Sequence, residues 1–365
     1  MYLKSLQLRN YRNYSNETIL LSPSTNVIVG DNAAGKTNLL ESIYLLSTTR
    51  SHRNDDDREL IKFDNEFASV EGILESQVNK EKLSVVIHKT GKTLAVNNIP
   101  LKKNSQFIGR ANAVLFSPSN MDLFDNSPRF RRKLIDIELG KLSPTYMFSL
   151  SNYLKLLKER NTYLKSQIDN VMLETYTEML FEPQIEIIQT RDSFVNDLNK
   201  HLSRYYNLIS GESHQIEMRY QSITSDREDK ELMLKELQQT YQNNLERDIF
   251  LKQTSTGIHR EDYIFYLDGK EVSKFCSQGQ KRMVLLALKL SIVENIYDVK
   301  NDYPVLLLDD VFSELDQTRR HNLLEILPSN IQTIITTTDL SELNLPTNHK
   351  VNVVKVQKGM IEHDK

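Results

Sequence analysis

The chain has 365 residues, 39% hydrophobic and 26% charged, with a formal net charge of −3. That is enough for one large domain or two ordinary ones, and no global basic field advertises nucleic acid, although a local patch stays open. The lone Cys276 rules out an intrachain disulfide; with no signal-like apolar start and no run near the roughly 18 apolar residues of a membrane span, a soluble cytoplasmic protein with no membrane partner is expected.

Residues 2–8 and 17–21 read as strands. Between them lies Arg9-Asn10-Tyr11-Arg12-Asn13-Tyr14. Its arginines and tyrosines could stack on bases or pair with phosphates, or equally form a solvated turn with buried tyrosines. A short apolar run, Val27-Ile28-Val29, then leads into Gly30-Asp31-Asn32-Ala33-Ala34-Gly35-Lys36-Thr37 and a helical pattern, Leu39-Leu40-Ile43-Tyr44-Leu46. Strand, Gly-rich loop and helix in that order make a phosphate-binding P-loop. Gly30 and Gly35 let the backbone curl so that successive N–H groups point at one anion. The helix N-terminus adds partial positive charge there. Lys36 can reach the β- and γ-phosphates, and the Thr37 hydroxyl can ligate Mg²⁺.

After this helix stand Arg50 and Arg53, within reach of nucleotide or DNA, or simply favoured by a helix C-terminus. Asp55-Asp56-Asp57 fits a solvated loop better than a metal site. Residues 67–75, 82–88 and 93–97 alternate enough for a small antiparallel sheet, and residues 112–116 suit a buried strand. From about residue 143 to 210 the apolar period turns helical. One series is Leu150, Tyr153, Leu157, Leu164, Ile168 and Val171; the other is Ile185, Ile188, Val195, Leu198, Leu202 and Tyr205. Two helices interrupted near Glu182-Pro183 are expected, each about 35–45 Å long, with Gly211 ending the second. A strand at 216–220 and a helix running toward residue 250 follow.

The α/β character returns near residue 255. Residues 263–267 and 270–272, joined by Asp268-Gly269, read as a hairpin. Val305-Leu306-Leu307-Leu308 has the look of a central parallel strand ending in Asp309-Asp310. A helix at 316–327 and strands at 331–336 and 350–356 complete the chain. The expected fold class is α/β: an ATPase domain whose parts at 1–120 and 253–365 are separated by an inserted α-helical lobe at 121–252. The motifs at the two ends must then meet in space.

A P-loop ATPase needs an acid to help hold Mg²⁺, and Asp309 is the candidate; Asp310 could orient or deprotonate the attacking water. Ser277-Gln278-Gly279-Gln280 opens a strong helical run. It is either a second anion-binding helix start, redundant for one nucleotide unless it serves another subunit's, or a polar cap with no ligand. Arg129, Arg131, Arg132 and Lys133 form a basic cluster that suits DNA phosphates, or a set of braces to Asp136 or Glu138. His259-Arg260 suits an intramolecular brace or a nucleotide-side pair better than a metal site.

Ser277-Gln278-Gly279-Gln280 resembles the composite-site motif of ABC-type ATPases, and Asp309-Asp310 with Ser313-Glu314-Leu315-Asp316 resembles their Walker B and D-loop. A more specific resemblance, to the RecF family of bacterial recombination mediators, covers most of the chain. It rests on residues 6–14, Arg50-Ser51-His52-Arg53, Arg131-Arg132 with Asp136, Gly257-Ile258-His259-Arg260-Glu261-Asp262, and Ser277-Gln278-Gly279-Gln280-Lys281-Arg282. Ile258, Glu261 and Lys281 depart mildly from that pattern. Thr336-Thr337-Thr338-Asp339 stands where transporter ATPases carry a switch histidine, which opposes a transporter's nucleotide-binding subunit. The inserted helices are too short for the arms of a structural SMC-like ATPase.

The resemblance implies an ATP-dependent DNA-binding protein whose slow, DNA-stimulated hydrolysis acts as a switch. It implies an ATP-dependent homodimer that sandwiches two ATPs with Mg²⁺, each P-loop facing the partner's loop at Ser277, Gln278, Gly279 and Gln280, with Asp316 in the D-loop. DNA at single-strand gaps, strand junctions and duplex, together with RecO and RecR, are the implied partners, in loading RecA at gaps coated with single-strand-binding protein during repair, replication and the SOS response.

Overall fold

The computed structural model describes residues 1–76, 79–166, 169–340 and 351–362. In chain order, β1 (Tyr2–Tyr11), β2 (Tyr14–Leu20) and β3 (Thr25–Val29) lead to α1 (Lys36–Thr48). Then come β4 (Phe67–Glu75), β5 (Lys80–His88), β6 (Gly91–Val96), β7 (Ile99–Pro100) and β8 (Ala113–Phe116). Helices α2 (Asp122–Asp125), α3 (Pro128–Leu142), α4 (Pro144–Tyr163), α5 (Asn170–Glu178) and α6 (Phe181–Ser210) follow. Next are β9 (Ile216–Gln221), α7 (Lys230–Asn243), α8 (Leu245–Leu251), β10 (Asp262–Leu267), β11 (Lys270–Glu271), α9 (Val272–Phe275) and α10 (Gln278–Lys300). The last are β12 (Val305–Asp309), α11 (Gln317–Ile326), β13 (Thr333–Thr337), β14 (Val351–Gln357) and β15 (Met360–Glu362).

The chain divides into two compact units: residues 1–121, 201–214 and 282–365, and residues 122–200 with 215–281. The boundaries differ from the sequence-based ones. Residues 253–281 group with the helical unit, and 201–214 with the ATPase-like one. A composition shift marks where helices begin and end, not which core their apolar faces join.

The first unit holds two six-stranded sheets. One is antiparallel, in the order β2-β1-β4-β5-β6-β7; the other runs β15-β14-β3-β13-β12-β8 and is parallel apart from its β14–β15 hairpin. The antiparallel sheet is wider than expected, because the N-terminal hairpin joins it through β1 and β4. Helix α1 packs against both sheets, with contacts to β4, β5, β8, β12 and β13. Its buried residues therefore run all round it, from Leu39 through Leu46. Strands β12 and β13 are buried along their whole length, which suits the interior of a parallel sheet.

The second unit is helical around the three-stranded sheet β11-β10-β9. The expected pair of helices is three: α4, α5 and α6. Pro183 does not break the pattern. It lies in the first turn of α6, where its missing N–H removes no intrahelical bond. Ile168, counted in the first series, lies outside the described residues, as does residue 350. Helix α3 is unforeseen: it starts at Ser127-Pro128, a Pro at its first turn, but its basic run hides the apolar face formed by Ile135 and Leu139. The hairpin strand after Gly269 is shorter than expected, since Val272 already begins α9.

Candidate functional site

The P-loop joins β3 to α1. Gly35 caps α1 at φ +122°, with no side-chain cap and no acid in the first turn. A Cβ on Gly35 would lie 2.6 Å from Asn13 Nδ2 and 2.9 Å from Tyr14 Oη, and one on Gly30 would collide with the Val356 carbonyl. Ala33 adopts φ +64°. Lys36 donates to the carbonyls of Gly30 at 2.6 Å and Asp31 at 2.9 Å. Burial lowers its pKa, while Asp310, Asp309 and Asp31 act to raise it.

The loop is held from behind. Asn13 Nδ2 and the Gly359 N–H each donate to the Ala34 carbonyl at 2.9 Å, and Tyr14 Oη donates to that of Gly35 at 2.9 Å. Asn38 Nδ2 donates to Asn13 Oδ1, and Arg53 in turn donates to Asn38 Oδ1 at 3.0 Å. Arg12 makes two 2.8 Å bonds to the buried Glu41 carboxylate, which also accepts from Ser51 Oγ at 2.5 Å. Burial alone would raise the Glu41 pKa, but these bonds from Arg12 and Ser51 hold it below the ordinary value. Tyr11 and Tyr14 are fully buried. Of the two readings open for residues 9–14, the turn with buried tyrosines is the one formed, and it braces the P-loop rather than offering tyrosines to bases.

Across the sheet, β13 pairs with both β3 and β12, which brings the two ends of the chain together. Thr37 Oγ1 donates to Asp309 Oδ1 at 3.1 Å. Thr336 Oγ1 donates to the same oxygen at 2.8 Å and accepts from the Asp310 N–H at 2.9 Å. Burial pushes the Asp309 carboxyl up, against the pull of the Thr336 and Thr37 hydroxyls. Asp310 follows at φ +51° with an exposed side chain. Among the described residues no cluster of three or more His, Cys, Asp or Glu could hold a metal. One hydroxyl and one carboxylate, both hard oxygen donors, still suit Mg²⁺, which takes most of its ligands from phosphates and water.

The remaining candidates lie apart in sequence. Ser277 caps α10: its Oγ accepts from the Gln280 N–H, and Gln280 Oε1 accepts from the Ser277 N–H, a reciprocal capping box. Ser277 and Gln278 are exposed, and a Cβ on Gly279 would meet nothing nearer than 4.0 Å. Asp316 caps α11 through the Arg319 N–H, and Arg282 holds the Glu314 carbonyl at 2.8 Å. In the basic cluster, Arg131 is paired twice with Asp262, and Arg132 donates to the Glu261 carbonyl. Asp136 and Glu138, the expected brace partners, form their ion pairs with Arg191 and Lys141, while the Asp136 charge also acts on Arg132. Arg129 and Lys133 have exposed side chains. His259 is a brace, bonded to Tyr153 Oη and the Thr254 carbonyl.

Sequence reasoning missed Asn13 and Tyr14 as supports of the loop, and Thr336 as the link between the two acids. Only strand register, which sets Thr336 opposite Asp309, would have found the last.

Three kinds of likeness bear on this arrangement. A family model described as the RecF/RecN/SMC N terminal domain matches residues 2–362. The DNA replication and repair protein RecF of Streptococcus equi subsp. equi (strain 4047) is 40% identical, over 100% of this chain and 99% of its own. The protein of the same name from Bacillus subtilis (strain 168) is 36% identical, over 99% and 100%. A solved structure described as the recombination mediator protein RecF-ATP in the RecFOR pathway superposes with a TM-score of 0.91 at 32% identity, covering 99% of this chain and 97% of that one. An Smc head domain from Pyrococcus furiosus, at a TM-score of 0.58 and 15% identity, shares the fold.

Proposed function

We propose, from the premise that this chain belongs to the RecF family of DNA replication and repair proteins, that it is an ATP-gated DNA-binding mediator. It acts with RecO and RecR to promote RecA loading at single-strand gaps coated with single-strand-binding protein. The observation that carries the reading is the 3.1 Å approach of Thr37 to Asp309, groups 272 positions apart in sequence, at the mouth of an uncapped P-loop.

In this reading the N–H groups of residues 30–37 and the Lys36 ammonium bind the phosphates. Lys36 exchanges its two carbonyl partners for phosphate oxygens, so the loop enters the complex with its cation already placed. Thr37 and Asp309 hold Mg²⁺, which when bound neutralises developing phosphate charge. Asp310 orients the attacking water. Ser277, Gln278, Gly279 and Gln280 face the γ-phosphate held by a second copy, a role that the exposure of Ser277 and Gln278 leaves open. Two copies therefore close over two ATPs, and slow hydrolysis releases them. Of the four basic residues, Arg129 has the most available charge for a DNA phosphate.

Sedimentation with and without Mg²⁺-ATP tests the reading. The parent is expected to dimerise only with ATP, and Ser277→Arg to remain monomeric while still binding ATP. A parent that stays monomeric with ATP, both with and without DNA, would overturn the shared-site account.

A further inference from the structure

We infer that Thr336 is a positioning residue of the hydrolytic site: its hydroxyl joins the Asp309 carboxylate to the Asp310 main chain and so fixes where the Asp310 carboxylate stands. The inference rests on the ATPase reading above. Thr336 is 1% exposed in β13, between Asp309 on β12 and Ile28 on β3. A hydroxyl buried beside Ile334 and Ile335 is unfavourable unless it is fully hydrogen-bonded. Here it is, and in one sense only. The Asp310 N–H can only donate, so the Thr336 oxygen accepts at 2.9 Å and its own proton points to Asp309 Oδ1 at 2.8 Å.

What this link holds is a residue at a sharp kink. Asp310 has φ +51°, a left-handed conformation uncommon outside glycine, asparagine and aspartate. Its N–H is held by Thr336 and its carbonyl accepts from Ser313 Oγ at 2.8 Å, so hydroxyls bracket the kinked residue on both sides. The Thr37 bond to Asp309 must loosen when both groups turn to a metal. The Thr336 bond need not, and it keeps the carboxylate from rotating. One side chain thus sets the aim of the metal-side acid and the stance of the water-side acid together.

The test compares Thr336→Val, which keeps the shape and removes the hydroxyl, with Thr336→Ser, which keeps the hydroxyl and removes a methyl. Binding of a fluorescent ATP analogue is measured in EDTA and in Mg²⁺, alongside the steady-state ATPase. Thr336→Val is expected to bind within about twofold of the parent in EDTA, to lose the tightening that Mg²⁺ gives the parent, with KM for Mg²⁺-ATP rising to match, and to fall roughly tenfold or more in kcat. Thr336→Ser should stay within about threefold on every readout, even if it melts lower. If Thr336→Val fails to fold, Thr336→Ser against Thr336→Ala carries the same contrast, since both lack the methyl. A valine variant that hydrolyses like the parent, or a serine variant as impaired as valine, overturns the inference. A parent that binds no ATP would instead overturn the ATPase reading itself.

Discussion

Two buried sites, one in each unit, handle charge in opposite ways, although the first unit also holds the paired Glu41 and Arg12. In the helical unit, Arg160 and Asp248 are fully buried and pair at 2.8 Å; Thr254, Thr177 and Ser255 add hydrogen bonds, and the guanidinium, whose Nη2 has no hydrogen-bond partner, lies over the Tyr241 ring. Arg191 likewise lies between Asp136 and Glu261. In the first unit, Asp309 is 5% exposed, and among the described residues no ion pair reaches it; hydroxyls alone hold it. The first arrangement neutralises its charges internally and fixes helices. The second leaves a carboxylate short of a cation, at the end of a strand and beside an uncapped helix. A buried charge with an ion-pair partner is scaffold; one without is a place for a ligand.

That contrast can be broken most sharply in the helical unit. Arg160→Ala leaves Asp248 buried without its cation and should destabilise the protein by about 3–5 kcal/mol, whereas Arg160→Met with Asp248→Leu should recover much of the loss. Urea unfolding of the full chain measures both. If the double variant is no better than the single one, the pair is not the unit of stability described.

A smaller effect, shared between the units, comes with acid. Burial pulls the pKa of His52, in the first unit, and of His259, in the second, down to about 4. Above pH 6.5 each is neutral both folded and unfolded. Between 6.5 and 4 the unfolded chain takes up a proton that the folded one refuses, so stability falls as pH falls and levels off below 4. The loss over that window is roughly 3 kcal/mol per histidine at most. Melting curves between pH 7.5 and 5 should show it before the carboxylates titrate. His52→Gln and His259→Gln should each flatten the slope, and two unchanged slopes would remove both histidines from the account.

Legibility in the sequence followed the same division. The P-loop, the β12 strand with its terminal acids and the capped start of α10 were readable because each is local: glycine spacing, an apolar run and a capping box all lie within a few residues. The ion-paired network was not. Arg131 and Arg132 read as a basic patch or as braces to the nearby Asp136 or Glu138, because Asp262 and the Glu261 carbonyl, their partners, lie some 130 positions away. Arg160 and Arg191 sit on helices, where an arginine ordinarily faces solvent, and only tertiary packing turns them inward. In sequence Thr336 only stands where a switch histidine is absent; its bonds to two acids depend on the parallel register of β12 and β13.

The finest test sets one backbone strain against another. Ala33 in the P-loop has φ +64°, and Lys252, which ends α8 in the helical unit, has φ +52°. Either left-handed residue costs about 1 kcal/mol relative to glycine, partly offset by the greater freedom glycine has when unfolded. Ala33→Gly and Lys252→Gly should therefore each shift stability by less than about 1 kcal/mol, in the stabilising direction. Their effects on nucleotide should part. The Lys252 N–H bonds only within its own helix end, to the carbonyls of Asp248 and Ile249, so glycine there should leave ATP affinity unchanged. Ala33 lies in a loop whose N–H groups must stay convergent without a ligand, and glycine would let that loop sample other shapes. ATP binding should then weaken about two- to threefold although the fold is no less stable. Equal ATP affinity in the two variants would show that the bonds to Ala34 and Gly35 hold the loop unaided, and that the strain at Ala33 has no part in shaping the site.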